Sequence, residues 1–153
     1  MNIFTNQLNQ KQKMNGSQMR DQDLERTRAI LRAWGNWSSN NTGCSWYTQM
    51  CGLSNVLPVE PDLREKLCDD DALIVDKLVA CMADKEDPTP MQFFVFHYVY
   101  KISKREIARI ETKHTKKKCT EGKVRSTLLL MESMVCGMLI QRENMGFKLE
   151  FNQ

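Results

Sequence analysis

The stretch Ser103–Ser126, SKREIARIETKHTKKKCTEGKVRS, decides how the rest of the chain is read. It holds nine Lys or Arg against three Glu. Ser103 followed three residues later by Glu106 has the form of a capping box, in which each side chain meets the other residue's backbone N–H at a helix start. The helix opened there carries Ile107, Ala108 and Ile110. Thr120 is placed to cap a second helix that runs to about Arg142 and presents Lys123, Arg125 and Ser126 in its first turns. Along it, Val124, Leu128, Met131, Val135 and Met138 recur at helical spacing and form one apolar stripe. A helix ending near Tyr100 precedes them. The order is that of a helix-turn-helix unit over about 103–135. In such a unit the small Ala108 lets two helices approach, Ile107 and Val124 fix their crossing, and early residues of the second helix point to base edges. A pair of amphipathic helices with a charged exterior is the competing reading. The link from Ala108 to Thr120 is longer than the usual turn. Either the first helix continues through Glu111–Thr115 or the turn is enlarged by Lys116–Lys118.

Working outward, the charge of this stretch is local. The whole chain is +3, whereas residues 101–125 alone carry +7, the preceding hundred −3 and the remainder −1. Such a patch concentrates polyanions. The 153 residues suit one domain, and the content of Leu, Met and Ala with few Gly and Pro favours helices. The expected fold is all-α, one compact helical domain over 21–142 with the helix-turn-helix in its C-terminal half. Residues 1–20 form a flexible extension and 143–153 a tail. Met14 and Met19 are further candidate starts. Upstream helices are expected at about Gln22–Trp37, capped by Asp21, and as a short helix within Cys44–Val56, where Trp46, Met50 and Leu53 fit a helical spacing. A third is expected at about Asp70–Ala83, capped by Asp69 or Asp70 and burying Leu73, Val75, Leu78, Val79 and Met82. A fourth starts at Thr89-Pro90 with Thr89 as cap. The N-terminus lacks a basic region followed by an apolar run, and the apolar stretch near Leu128–Ile140 is interrupted by Glu132, so no signal or membrane span is expected.

Other constellations carry less. Asp69-Asp70-Asp71 suggests a Mg²⁺ site, but consecutive residues at a helix start diverge, and capping is the better account. Cys44, Cys51, Cys119, His97 and His114 have no regular zinc spacing. Cys68, Cys81 and Cys136 sit beside apolar residues and are expected in the core. No nucleophile–base pair stands out, so no catalysis and no cofactor are expected. Trp34 and Trp37 are expected in the core, and His97 among aromatic neighbours.

The stretches LRAWGNWSSNN (Leu31–Asn41), CDDDALIVDKLVACM (Cys68–Met82), FHYVYKISKREIAR (Phe96–Arg109) and KVRSTLLLMESMVCGML (Lys123–Leu139) together resemble the lambdoid-phage Q antitermination proteins, of the type distinct from the phage lambda protein. The resemblance spans roughly Met19–Arg142. It implies a cytoplasmic factor with a helix-turn-helix like that of sigma region 4. Such proteins bind double-stranded DNA at a phage late promoter and engage bacterial RNA polymerase paused there with its sigma factor. They then travel with it and admit nascent RNA through a collar at the exit channel that excludes terminator hairpins. Self-association belongs to the same set of expected partners. The alternative is a repressor or activator that stays at its DNA site. On either reading, Lys123, Arg125, Ser126 and Glu121 are the base-contact candidates. Lys104, Arg105, Arg109, Lys113, Lys116, Lys117 and Lys118 are assigned to phosphates; Lys116–Lys118 suit them better than bases, because an ammonium is a point charge without a fixed fork.

Overall fold

The computed structural model describes residues 3–41, 46–52 and 66–151, with side chains described from residue 20 onward. Among them the structure is helical without strands: α1 Ile3–Asn40, α2 Trp46–Met50, α3 Asp69–Ala80, α4 Thr89–Tyr98, α5 Lys104–Thr115 and α6 Glu121–Asn144. The expected all-α class holds. The aromatic run Phe93–Tyr98 is a helix, because that conformation puts Phe94 against both Trp34 (5.9 Å between ring centroids) and Tyr98 (4.9 Å).

Helix α6 is the central post, packed by α1, α3, α4 and α5. Its stripe faces inward as spaced: Val124, Leu128, Met131 and Val135 are buried, and Met138 is half-buried. They meet Ile30, Leu31 and Trp34 of α1, Val75 and Val79 of α3, Met91 and Phe94 of α4 and Ile107 of α5 in one core. As a whole α6 is long and apolar enough to cross a membrane, contrary to the expectation from Leu128–Ile140 alone. Its buried face is instead taken up by the other helices.

Several local expectations are corrected. Helix α1 starts well before Gln22, so Asp21 lies inside it and caps nothing. The N-cap of α3 is Cys68, with no side-chain cap bond, and Asp69, Asp70 and Asp71 occupy the first turn, where their charge suits the positive helix end. Asp69 accepts from the Trp37 indole (2.9 Å), and the buried Asp71 accepts from the Glu150 backbone N–H (2.9 Å). That second bond, with buried Leu149, ties the C-terminal segment to α3. Pro88 rather than Thr89 precedes α4 as its cap residue. Leu73, Cys68 and Cys81 are exposed and Cys136 is half-buried, because the packed faces of α3 and α6 pass beside them. Cys44 lies outside the described residues.

The aromatic cluster carries one buried acid that spacing alone did not reveal. Asp76 accepts from the indole N–H of Trp34 (3.1 Å) and of Trp46 (3.2 Å). Burial pushes its pKa up, and the two indole bonds offset part of that rise. A carboxyl whose folded pKa lies above its unfolded value of about 3.9 contributes most at low pH and loses that contribution as pH rises through the folded pKa. Asp76→Asn keeps an acceptor oxygen without a titration. It should therefore gain stability relative to the wild type between pH 4 and pH 7. Urea unfolding at both pH values checks this, and a difference independent of pH would contradict it.

Candidate nucleic-acid interface

Helices α5 and α6 are each fixed by the caps their sequence announces. Ser103 Oγ accepts from the Glu106 N–H (3.2 Å), and Thr120 Oγ1 accepts from the Lys123 N–H (3.2 Å). Ile107, Ala108 and Val124 are buried at the crossing. The long link resolves in both of the expected ways. Helix α5 continues to Thr115, and residues 116–120 form a five-residue turn that begins with Lys116 in the left-handed conformation, φ 55°.

Thr112 staples this turn, a role the sequence reading did not assign. Its Oγ1 donates to the Ala108 carbonyl (2.8 Å) and accepts from the Cys119 N–H (2.9 Å). Thr115 repeats the device, donating to the Glu111 carbonyl (2.8 Å) and accepting from the Lys117 N–H (3.3 Å). A threonine one turn from a helix end, followed by a basic loop, is the available signal.

The candidate residues fall into four groups, three of them about the α5–α6 crossing and one apart from it. A groove of about 450 Å³ between α5 and the start of α6 brings Arg105, Arg109 and Lys113 together with Glu121 around Ala108, Thr112 and the buried Cys119. Lys123, Arg125 and Ser126 stand exposed on the first turns of α6. Lys116, Lys117 and Lys118 are exposed on the turn and do not line the groove. Lys104 lies on the other side of α5, half-buried beside Arg28, Arg32, His97, Tyr98 and Lys101.

Two local ion pairs shape this surface: Arg109 with Glu106 (3.3 Å) and Arg125 with Glu121 (2.8 Å). Both are exposed and contribute little to stability. Their effect is on direction. The Glu121–Arg125 pair, four residues apart with the acid first, holds the guanidinium over the N-terminal end of α6. Glu121 thus acts on Arg125 as well as being a contact candidate itself.

The interface rests on a buried polar node missed as such in the sequence. Glu132, 2 % exposed, accepts from the Tyr98 hydroxyl (2.6 Å) and from Arg28 Nε (2.9 Å). Burial opposes the Arg28 charge, but the bonds to Glu132 and Glu25 outweigh it and hold its pKa above the ordinary value. Burial, the Glu132 charge and its hydrogen bond together push the Tyr98 phenol far upward. His97, ring against ring with Tyr98, has its pKa lowered chiefly by burial. The node joins α1, α4 and α6 beside the N-terminal end of α5. Among the described residues no group of three or more His, Cys, Asp or Glu is arranged to hold a metal.

Residues 24–148, which contain α3 to α6 and all of the candidate contacts, match the family profile described as phage antitermination protein Q. The chain belongs to that family. It is 32 % identical over 111 residues to a probable antitermination protein Q of Acyrthosiphon pisum secondary endosymbiont phage 1, covering 72 % of this chain and 71 % of the relative. A prophage antitermination protein Q homolog of Escherichia coli K12 is 28 % identical over 114 residues, covering 72 % and 83 % of the two chains. Antitermination protein Q of Escherichia phage 933W is 27 % identical over 127 residues, covering 82 % and 81 %. No solved structure matches. Membership places the chain among phage transcription-antitermination proteins and makes its general role the regulation of transcription.

Proposed function

We propose that the chain binds double-stranded DNA at a phage late promoter through α5 and α6 and engages bacterial RNA polymerase there with its sigma factor. It then travels with the enzyme through the host cytoplasm's transcription units, suppressing terminators by guarding the RNA exit channel against hairpins. The observation that carries this reading is the α5–α6 unit. Two capped helices cross on buried Ile107, Ala108 and Val124, and the exposed first turns of α6, with Lys123 and Arg125, adjoin a groove that holds Arg105, Arg109 and Lys113. The shape supports entry of α6 into a major groove, with α5 and the turn against the backbone. A basic surface of this kind can serve DNA first and single-stranded RNA afterwards.

In this arrangement Arg125 has the planar fork that suits a guanine edge, held in place by Glu121. The exposed Lys117 offers a point charge to phosphate. Arg125→Ala should weaken DNA binding by about 1–3 kcal/mol and relax preference at one base position. Lys117→Ala should weaken all sequences alike and flatten the salt dependence. Titrations on a panel of duplexes at several salt concentrations separate the two. Equal losses on every sequence for Arg125→Ala would show a backbone contact. A changed base preference for Lys117→Ala would remove it from the phosphate set.

A further inference from the structure

Among the described residues that line the groove between α5 and α6, Glu121 is the one acid, set beside Arg105, Arg109 and Lys113. A carboxylate at that place repels the phosphates that the three cations attract. Helix stability accounts for it only in part. An acid in the first turn suits the positive end of α6, but an exposed ion pair adds little. A cost to binding with so small a return is explained when the carboxylate has a reading task. A base edge offers it what a phosphate does not, an N–H donor.

The geometry of the pair selects the edge. Arg125 Nη2 donates to Glu121 Oε1 (2.8 Å), with the two side chains 64 % and 44 % exposed. Among the described residues neither makes a further hydrogen bond or ion pair. The guanidinium therefore keeps a two-donor edge, and Glu121 keeps Oε2 as an acceptor. Held together, they present donor, donor, acceptor in a fixed order. In the major groove a G·C pair presents the complement: guanine N7 and O6 accept, and the cytosine amino group donates. An A·T pair sets its amino group against the guanidinium and thymine O4 against the carboxylate. A reversed C·G pair sets guanine N7 against the carboxylate.

We propose that Glu121 and Arg125 read one G·C base pair as a unit, the guanidinium taking guanine and the carboxylate taking the amino group of its cytosine. Glu121 is then a specificity-determining residue. Its repulsion weakens binding to every duplex, and one base pair in one orientation returns the loss. The inference rests on the reading under Proposed function, in which the first turns of α6 enter a major groove.

The test is a binding titration of the full chain on duplexes from the DNA adjoining this gene, with each base pair replaced in turn. Glu121→Ala should relax preference at the same position as Arg125→Ala, lowering discrimination against the wrong pairs about tenfold. It should also bind unrelated duplexes more tightly than the wild type does. A cytosine analogue without the exocyclic amino group, placed at that position, should weaken binding by the wild type and leave Glu121→Ala unaffected. Unchanged base preference in Glu121→Ala overturns the proposal and leaves the acid to helix stability. Relaxed preference in Glu121→Ala beside a wild type indifferent to the amino group also overturns it, because Glu121 then only holds Arg125 in place. A wild type that prefers no duplex over another is recognised before any variant is made. That result overturns the reading under Proposed function, and this inference with it.

Discussion

Arg28→Ala should destabilise the domain by about 3 kcal/mol, at the lower end of the cost of breaking a buried ion pair. Its partner explains why. Glu132 is 2 % exposed, and its two carboxylate oxygens are taken by Arg28 Nε and the Tyr98 hydroxyl. With Arg28 removed, the carboxylate stays in the core with a neutral phenol as its remaining named donor. It must then keep an uncompensated charge or bind a proton. Arg28 itself is 29 % exposed on its side chain, so water returns part of the loss. Changing Glu132→Gln in the Arg28→Ala background should recover part of the loss, because the buried charge goes with it. A double-mutant cycle by urea unfolding measures the coupling. Independent, additive losses from the two substitutions would show that the pair is not a unit.

Gly35→Ala should cost at least about 3 kcal/mol, at or beyond the upper end of ordinary overpacking. A Cβ at Gly35 would lie 1.9 Å from the Tyr98 carbonyl oxygen and 2.7 Å from its carbonyl carbon. These are backbone atoms at the end of α4, so no rotamer change relieves the clash. Helices α1 and α4 must separate, and Tyr98 must carry its bond to Glu132 with it. Gly137 is the control. It lies within α6, where a Cβ would meet nothing within 4 Å. Gly137→Ala should stabilise by about 0.5–1 kcal/mol, the ordinary helix-interior preference for Ala over Gly. Opposite signs for the two glycines, read by chemical denaturation, are the expected result. Similar small effects would mean that α1 and α4 do not approach this closely.

These two sites also show where sequence reasoning succeeds and where it stops. Local signals were legible: Ser103 and Thr120 cap as their positions announce, and the spacing of Val124, Leu128, Met131 and Val135 names the inner face of α6. Those features depend on neighbours within one or two turns. Glu132 is four residues beyond Leu128, so it falls on that same inner face. The sequence presents it as an interruption of an apolar run, because its partners Arg28 and Tyr98 lie far away in the chain. Gly35 sits mid-helix without a turn to explain it, a sign of close approach, but only the fold shows what approaches. The expected caps of α3 and α4 were off by one or two residues because Cys68 and Pro88, which are not common cap types, precede those helices, and Asp21 caps nothing because α1 continues well upstream of it. The exposure of Cys68 and Cys81 has a tertiary origin. Their apolar neighbours mark a buried helix, and the helix's rotation decides which of its residues is buried. Of the candidate interface, the local excess of positive charge was legible. Its division into a groove, a turn and a separate cluster followed from the crossing of α5 and α6.

The most direct test of the central claim is transcription in vitro with purified bacterial RNA polymerase and sigma factor. The template carries the DNA adjoining this gene, followed by a strong intrinsic terminator. Addition of the protein should increase readthrough, and the increase should vanish when the upstream DNA is replaced. Arg125→Ala should lower it at limiting protein. Binding to the template with termination unchanged would contradict the account and leave the chain a regulator confined to its DNA site.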